Sequence, residues 1–214
     1  MVAGVITSDI IQSTHINPPE RQRLYAEIQQ AIKEIGKKYP LKSEWYRGDA
    51  FQVKTDEIKY ACRVALLIKT FTRSVEKDRE QAGKKSPKIY DVRMAVGIGP
   101  IESGSDTLAL SNGEAFQLSG RTLDELKGAR RHFAFATADG NNNSLQIESQ
   151  LLDALINSTT AAQCRVLYNK LLGHIEDDIA KKLGVSQSTV NQHANAANWS
   201  VFSDYLDYFE NLYK

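Results

Sequence analysis

The chain has 214 residues, 42% hydrophobic and 25% charged, which is enough apolar material for one medium and one small globular domain. Lysine and arginine total 27 against 26 aspartate and glutamate, so no overall charge draws the molecule to nucleic acid or an anionic membrane, and such binding would need a local patch. No window reaches the roughly 18 apolar residues of a membrane span and no basic-then-apolar leader opens the chain, so a cytoplasmic protein is expected.

The first 137 or so residues alternate strand and helix patterns. "VAGVITSD" reads as a buried strand, and Asp9 at its end is either a turn or cap residue or a metal ligand, because an unpaired buried charge is costly. Residues 19 to 38 place Leu24, Ile28, Ala31, Ile32 and Ile35 on one helical stripe. "LKSEWY" and "AFQVK" are short strands joined by the tight turn "RGD". "DEIKYACRVALLIKTFTRSVEK" is again helical, with Cys62 as a small core residue; Cys164, far away, implies neither a disulfide framework nor a zinc site.

"QAGKKSPK" is a polar loop, "IYDVRMAVGIGPIES" a long strand bending near Gly97 and Gly99, "GEAFQLSGRTLDELK" a helix and "HFAFATAD" a last strand. This order predicts an α+β fold, an antiparallel-sheet sandwich of ferredoxin-like kind, over residues 1–138. "DGNNNS" at 139–144 reads as a linker, and residues 145–214 as an all-α domain.

Within the second part, 175–197 carries the pattern of a helix-turn-helix. Ala180 stands where two helices cross, Gly184 lies at the turn, Ser186 is an N-cap and Val190 anchors the second helix, with Ile179, Leu183 and Val185 apolar around them. Gln187, Ser188, Thr189, Asn191 and Gln192 are the candidate readers of double-stranded DNA. From His174 to Lys214, however, three lysines face six acidic residues, a weak phosphate term, so an interaction-only module is the other reading. Trp199, Phe202, Leu206, Phe209 and Tyr213 form a closing apolar stripe expected to pack on the module or on a second subunit.

Asp49 sits in "YRGDAFQV", where turn chemistry alone explains an aspartate. If the hairpin lies beside the first strand, Asp9 and Asp49 meet at one sheet edge, a pair suited to a hard cation and phosphate oxygens. On the helix near 113 to 127, Gln117 and Arg121 lie one turn apart, away from the apolar face of Phe116, Ser119, Leu123 and Leu126. That pair could hold ribose and phosphate, or be only a solvated face.

These segments carry a resemblance. "VITSDIIQST" resembles the first metal-binding strand of class III nucleotidyl cyclases, "YRGDAFQV" their hairpin with the second metal aspartate, and "SNGEAFQLSGRTLDEL" their helix with an asparagine and, four residues on, an arginine. Together with "VRMAVGIGPI" and the C-terminal pattern, the chain is similar to the bacterial SatD family, whose N-terminal domain is cyclase-like. The resemblance implies Asp9 and Asp49 as ligands of Mg2+ or Mn2+ helped by the Ile10 carbonyl, Arg121 on the phosphates of a nucleoside triphosphate or related nucleotide, and a homodimer that shares each site. Three positions depart from the cyclase pattern: Gln117 replaces the asparagine, Trp45 stands four residues before Asp49 where a base-selecting lysine or glutamate is found, and Leu110 occupies the other base-selecting position. The expected function is a cytoplasmic regulator in which a metal-nucleotide domain is coupled to a DNA-binding or interaction module. The alternative is an active cyclase or cyclic-oligonucleotide synthase that uses the module for assembly.

Overall fold

The structure, a computed structural model, describes residues 1–46, 48–77, 89–102, 107–108, 111–138 and 142–214. The expected loop "QAGKKSPK", Arg47 of the hairpin turn, Leu110 at the second position compared with the cyclase base pocket and the first half of the expected linker lie outside the described residues.

The run Val2–Ile10, rich in Val and Ile and buried along most of its length, is the central strand, β1, of a five-stranded sheet. The others are β2 (Lys42–Tyr46), β3 (Ala50–Thr55), β4 (Val92–Pro100) and β5 (Phe133–Thr137), in the order β2-β3-β1-β4-β5. All neighbours are antiparallel except β4 and β5, which run parallel. Helices cover both faces, as the α+β expectation required.

One face carries Ile6, Ile10, Met94 and Val96, packed under α1 (Pro18–Gly36) and α2 (Ala61–Ser74). Asn17 starts α1, its side chain accepting from the Glu20 amide at 2.9 Å, with proline in the first turn where no donor is missed. The other face carries Val5 and Ala95 under Ala115, Phe116, Leu123 and Leu126 of α3 (Glu114–Ala129). A Cβ on Gly97 would stand 2.2 Å from the Ala115 carbonyl oxygen, so glycine is what lets α3 lie this close. There the Thr7 and Ser119 hydroxyls, both buried, share a hydrogen bond of 2.7 Å.

After the sheet come α4 (Asn142–Asn157), α5 (Ala161–Leu171), α6 (Glu176–Leu183), α7 (Gln187–Ala196) and α8 (Trp199–Leu212). The last residues of the expected linker thus open α4. Leu145, Leu152 and Ile156 of α4, Leu167 and Leu171 of α5, and Phe202, Leu206 and Phe209 of α8 all join the same apolar cluster as β1 and α2. The closing stripe therefore goes neither to the module alone nor to a second subunit. Phe209 stacks on Phe135 of β5 at 5.4 Å, Glu210 pairs with Arg63 of α2 at 2.5 Å, and Tyr205 donates to Glu148 of α4 at 3.0 Å.

Between α6 and α7 the chain turns in three residues. Gly184 takes a left-handed φ of +67°, and Ser186 caps α7 by accepting from the Thr189 amide at 3.1 Å. Ile179, Ala180, Val190 and Ala194 pack together on Val166 of α5, while Val185 is exposed rather than part of that small core.

Candidate functional site

At the end of β1 the register sets Asp9 opposite Ala50 of β3 and Arg93 of β4. The Ile10 amide donates to the Asp49 carbonyl at 3.1 Å, which pins the hairpin tip to the strand end. That bond puts the residues of the two expected carboxylates at the same strand end, where the Asp49 charge reaches Asp9. Burial pushes the Asp9 carboxyl above its ordinary range, Arg93 and Lys127 pull it down, and the Asp49 charge adds to the rise.

Arg93 Nη1 donates to both oxygens of Asp9, at 3.1 and 3.0 Å, and Lys127 Nζ of α3 stands 3.6 Å from Oδ2. The Arg93 Nε is buried without a hydrogen-bond partner among the described residues, so the guanidinium keeps a donor unused. Asp49 accepts from the hydroxyl of Ser13, itself buried. Ser13 follows Gln12, whose φ of 56° is left-handed, a conformation costing a non-glycine residue roughly 1–2 kcal/mol. The strained turn is held from two sides, by Ser13 on Asp49 and by the Ile11 amide on the Asp91 carbonyl at 3.0 Å.

Gln117 and Arg121 lie exposed on the outward face of α3, as their spacing predicted. Among the described residues no ion pair or side-chain hydrogen bond joins them to Asp9 or Asp49 of the same chain. Trp45 sits between Tyr25 and Phe51, ring centroids 5.2 and 4.8 Å away, as part of an aromatic stack on the α1 side. On α7, Gln187, Ser188, Asn191 and Gln192 are exposed and Thr189 half-buried. Gln187 donates to Glu176 at 2.5 Å, the Ser188 and Ser186 hydroxyls share a bond of 2.8 Å, and Asn191 accepts from Asn195 at 2.9 Å.

Beside the Gln12 turn lies a second polar group. Asp91 receives Lys69 at 2.9 Å and Arg73 at 2.6 Å, with His132 Nδ1 at 3.3 Å, next to a cavity of about 390 Å³ that Gln12, Lys77 and Asn157 also line. Burial alone would raise the Asp91 carboxyl; Lys69, the nearby His132 ring and Arg73 outweigh it and hold the group far below the usual carboxylate range.

Sequence reasoning did not single out Arg93, Lys127, Ser13 or Gln12. Arg93 was findable, because a cation at an inward position of "VRMAV" demands a buried partner. Lys127 was not, because on a helix end it reads as surface.

As a metal site, Asp9, Asp49 and the Ile10 carbonyl are hard oxygen donors, the class that magnesium and manganese take, so the donor chemistry fits. Among the described residues no group of three or more His, Cys, Asp or Glu side chains is placed to hold a metal ion, so phosphate oxygens or water would have to complete the shell.

No family model matches the chain, and no curated protein matches it by sequence. Solved structures similar to it include a bacterial light-regulated adenylyl cyclase, at 15% identity over 63% of this chain and 74% of that one, with a TM-score of 0.45. The adenylyl cyclase CyaB from P. aeruginosa is 18% identical over 58% and 71%, TM-score 0.42. The GGDEF domain of DgcB from Caulobacter crescentus, in complex with c-di-GMP, is 12% identical over 65% and 79%, TM-score 0.48. The likeness is confined to the path of the chain; the chemistry of this site follows from its own side chains.

Proposed function

We propose that the sheet half of the molecule binds the polyphosphate of a nucleotide at the Asp9, Asp49 and Arg93 edge, and that the protein is a regulator in which this half is coupled to the C-terminal helices. The observation that carries the reading is the meeting of Asp9 and Asp49 at one strand end, with Arg93, its Nε unpartnered, on the first of them. Two carboxylates would hold Mg2+ or Mn2+, which supplies positive charge against the phosphates, while the guanidinium binds their oxygens directly.

Arg121 and Gln117, exposed on α3, serve a site completed by a second copy, so the working form is a homodimer. The α6, turn and α7 unit acts as a helix-turn-helix whose exposed face offers Gln187, Ser188, Asn191 and Gln192 to double-stranded DNA or to a protein partner, placing the molecule in transcription regulation of the SatD kind. The aromatic stack around Trp45 leaves no charged base reader at that position, which favours a sensor over a cyclase.

Thermal melting with each nucleoside triphosphate, with and without magnesium or manganese, tests the reading. Wild type should gain stability and the Asp9→Ala/Asp49→Ala double variant should not; equal shifts in both overturn it. Labelled triphosphate recovered unchanged supports the sensor, and a cyclic product establishes the enzyme. A footprint on the protein's own promoter at two salt concentrations tests the DNA role.

A further inference from the structure

We infer that Lys127 belongs to the Asp9 site and makes it selective for a polyphosphate with its cation over a bare divalent cation; this deepens the nucleotide reading and rests on it. Lys127 Nζ stands 3.6 Å from Asp9 Oδ2, and Arg93 holds both oxygens of the same carboxylate. Both oxygens of the Asp9 carboxylate thus already face positive groups. In formal charge, Asp9 and Asp49 are answered by Arg93 and Lys127, so a free divalent cation meets a neutralised site and must displace a resident cation to reach Asp9. A polyphosphate reverses the balance, because its oxygens offer both cations a new acceptor as Asp9 is released to the metal.

Lys127 is the member built to move. Its side chain is half exposed on a flexible four-carbon stem, whereas that of Arg93 is 18% exposed and held through Nη1 by both Asp9 oxygens. It also has a second acceptor, Asp124 Oδ1 at 3.1 Å one turn earlier on α3. The ammonium therefore stands between an inner carboxylate and an outer one, and can swing from Asp9 to Asp124 without losing its counter-charge. Asp124 is 78% exposed, so water screens it and it adds little to the field at the inner site. Lys127 also lies in the last turn of α3, where the helix dipole favours a cation.

The test is manganese binding by the full chain without nucleotide, read as loss of the free-ion paramagnetic resonance signal. Lys127→Met should bind free Mn2+ about tenfold tighter than wild type, the low end for removing a neighbouring charge at a half-exposed site. Lys127→Arg should stay near wild type, and Asp9→Asn/Lys127→Met should lose the gain. With inorganic tripolyphosphate plus manganese the order should invert, Lys127→Met binding more weakly. Equal free-manganese affinity in wild type and Lys127→Met, or a gain that survives in the double variant, overturns the inference. Circular dichroism melts confirm that each variant is folded. If wild type takes up no triphosphate under any condition, the nucleotide reading falls and the polyphosphate selectivity with it, while manganese alone still shows whether Lys127 competes for Asp9.

Discussion

Lys69, without exposed surface, donates to Asp91 and to the Val92 carbonyl, each at 2.9 Å, joining the middle of α2 to the start of β4. Arg73, one turn on, takes the other Asp91 oxygen and reaches the carbonyls of Asn157, the last residue of α4, and Thr159 just beyond it. Asp91→Asn would leave two buried cations without a counter-ion, a loss of about 3–5 kcal/mol. Urea unfolding should show it as a lower midpoint with an unchanged slope; a loss below about 1 kcal/mol would mean that the network relaxes freely.

The same carboxylate sets an acid limit. Its folded-state affinity for protons is depressed, so its stabilisation is complete above the ordinary value of 3.8 and is lost as pH falls from there toward the lower folded value. Stability measured from pH 6 downward should therefore decline more steeply in wild type than in Asp91→Asn. Parallel curves would remove Asp91 from the account.

Gly97→Ala places a methyl group against the backbone of α3, which cannot give way as a flexible side chain could. The expected loss is at the upper end of the roughly 1–3 kcal/mol of overpacked cores. Hydrogen exchange should localise it to α3 and to the Thr7 to Ser119 contact, and a uniform loss of protection would contradict that assignment.

Ser186→Ala removes the α7 cap and should cost about 1 kcal/mol. Amide exchange in the first turn of α7 should accelerate while that of β1 and β4 stays unchanged. Acceleration throughout the chain would show that the module and the sheet unfold as one unit.

Phe209→Ala removes a ring wholly buried against Phe135 and should cost about 3–5 kcal/mol. Limited proteolysis should then cut first within α8, whereas unchanged cleavage would mean that its remaining contacts suffice.

What the sequence disclosed follows local pattern. The Val- and Ile-rich run of β1 and the stripe of α1 are local signals, and both elements form within a residue or two of the expected places. Asp9 and Asp49 were legible as a pair because a hairpin beside a strand constrains where its tip falls. Arg93 and Lys127 required knowing which strand and helix flank Asp9, information spread over distant segments. The stripe of α8 was equally plain as an apolar face, but periodicity says that a face will be buried and not by what, and Phe135 is its partner. Lys69 was a missed signal: a lysine inside the apolar run "VALLIKTF" needs a buried anion, and Asp91 supplies it.

The seating of Phe209 on Phe135 bears on how the chain is made. β5 and the face of α2 that carries Arg63 stay uncovered until α8 has been made, so the sheet half cannot finish folding before the helices that follow it in the chain. A fragment released at the 139–144 segment would carry α2 and β5 with their apolar faces open to self-association.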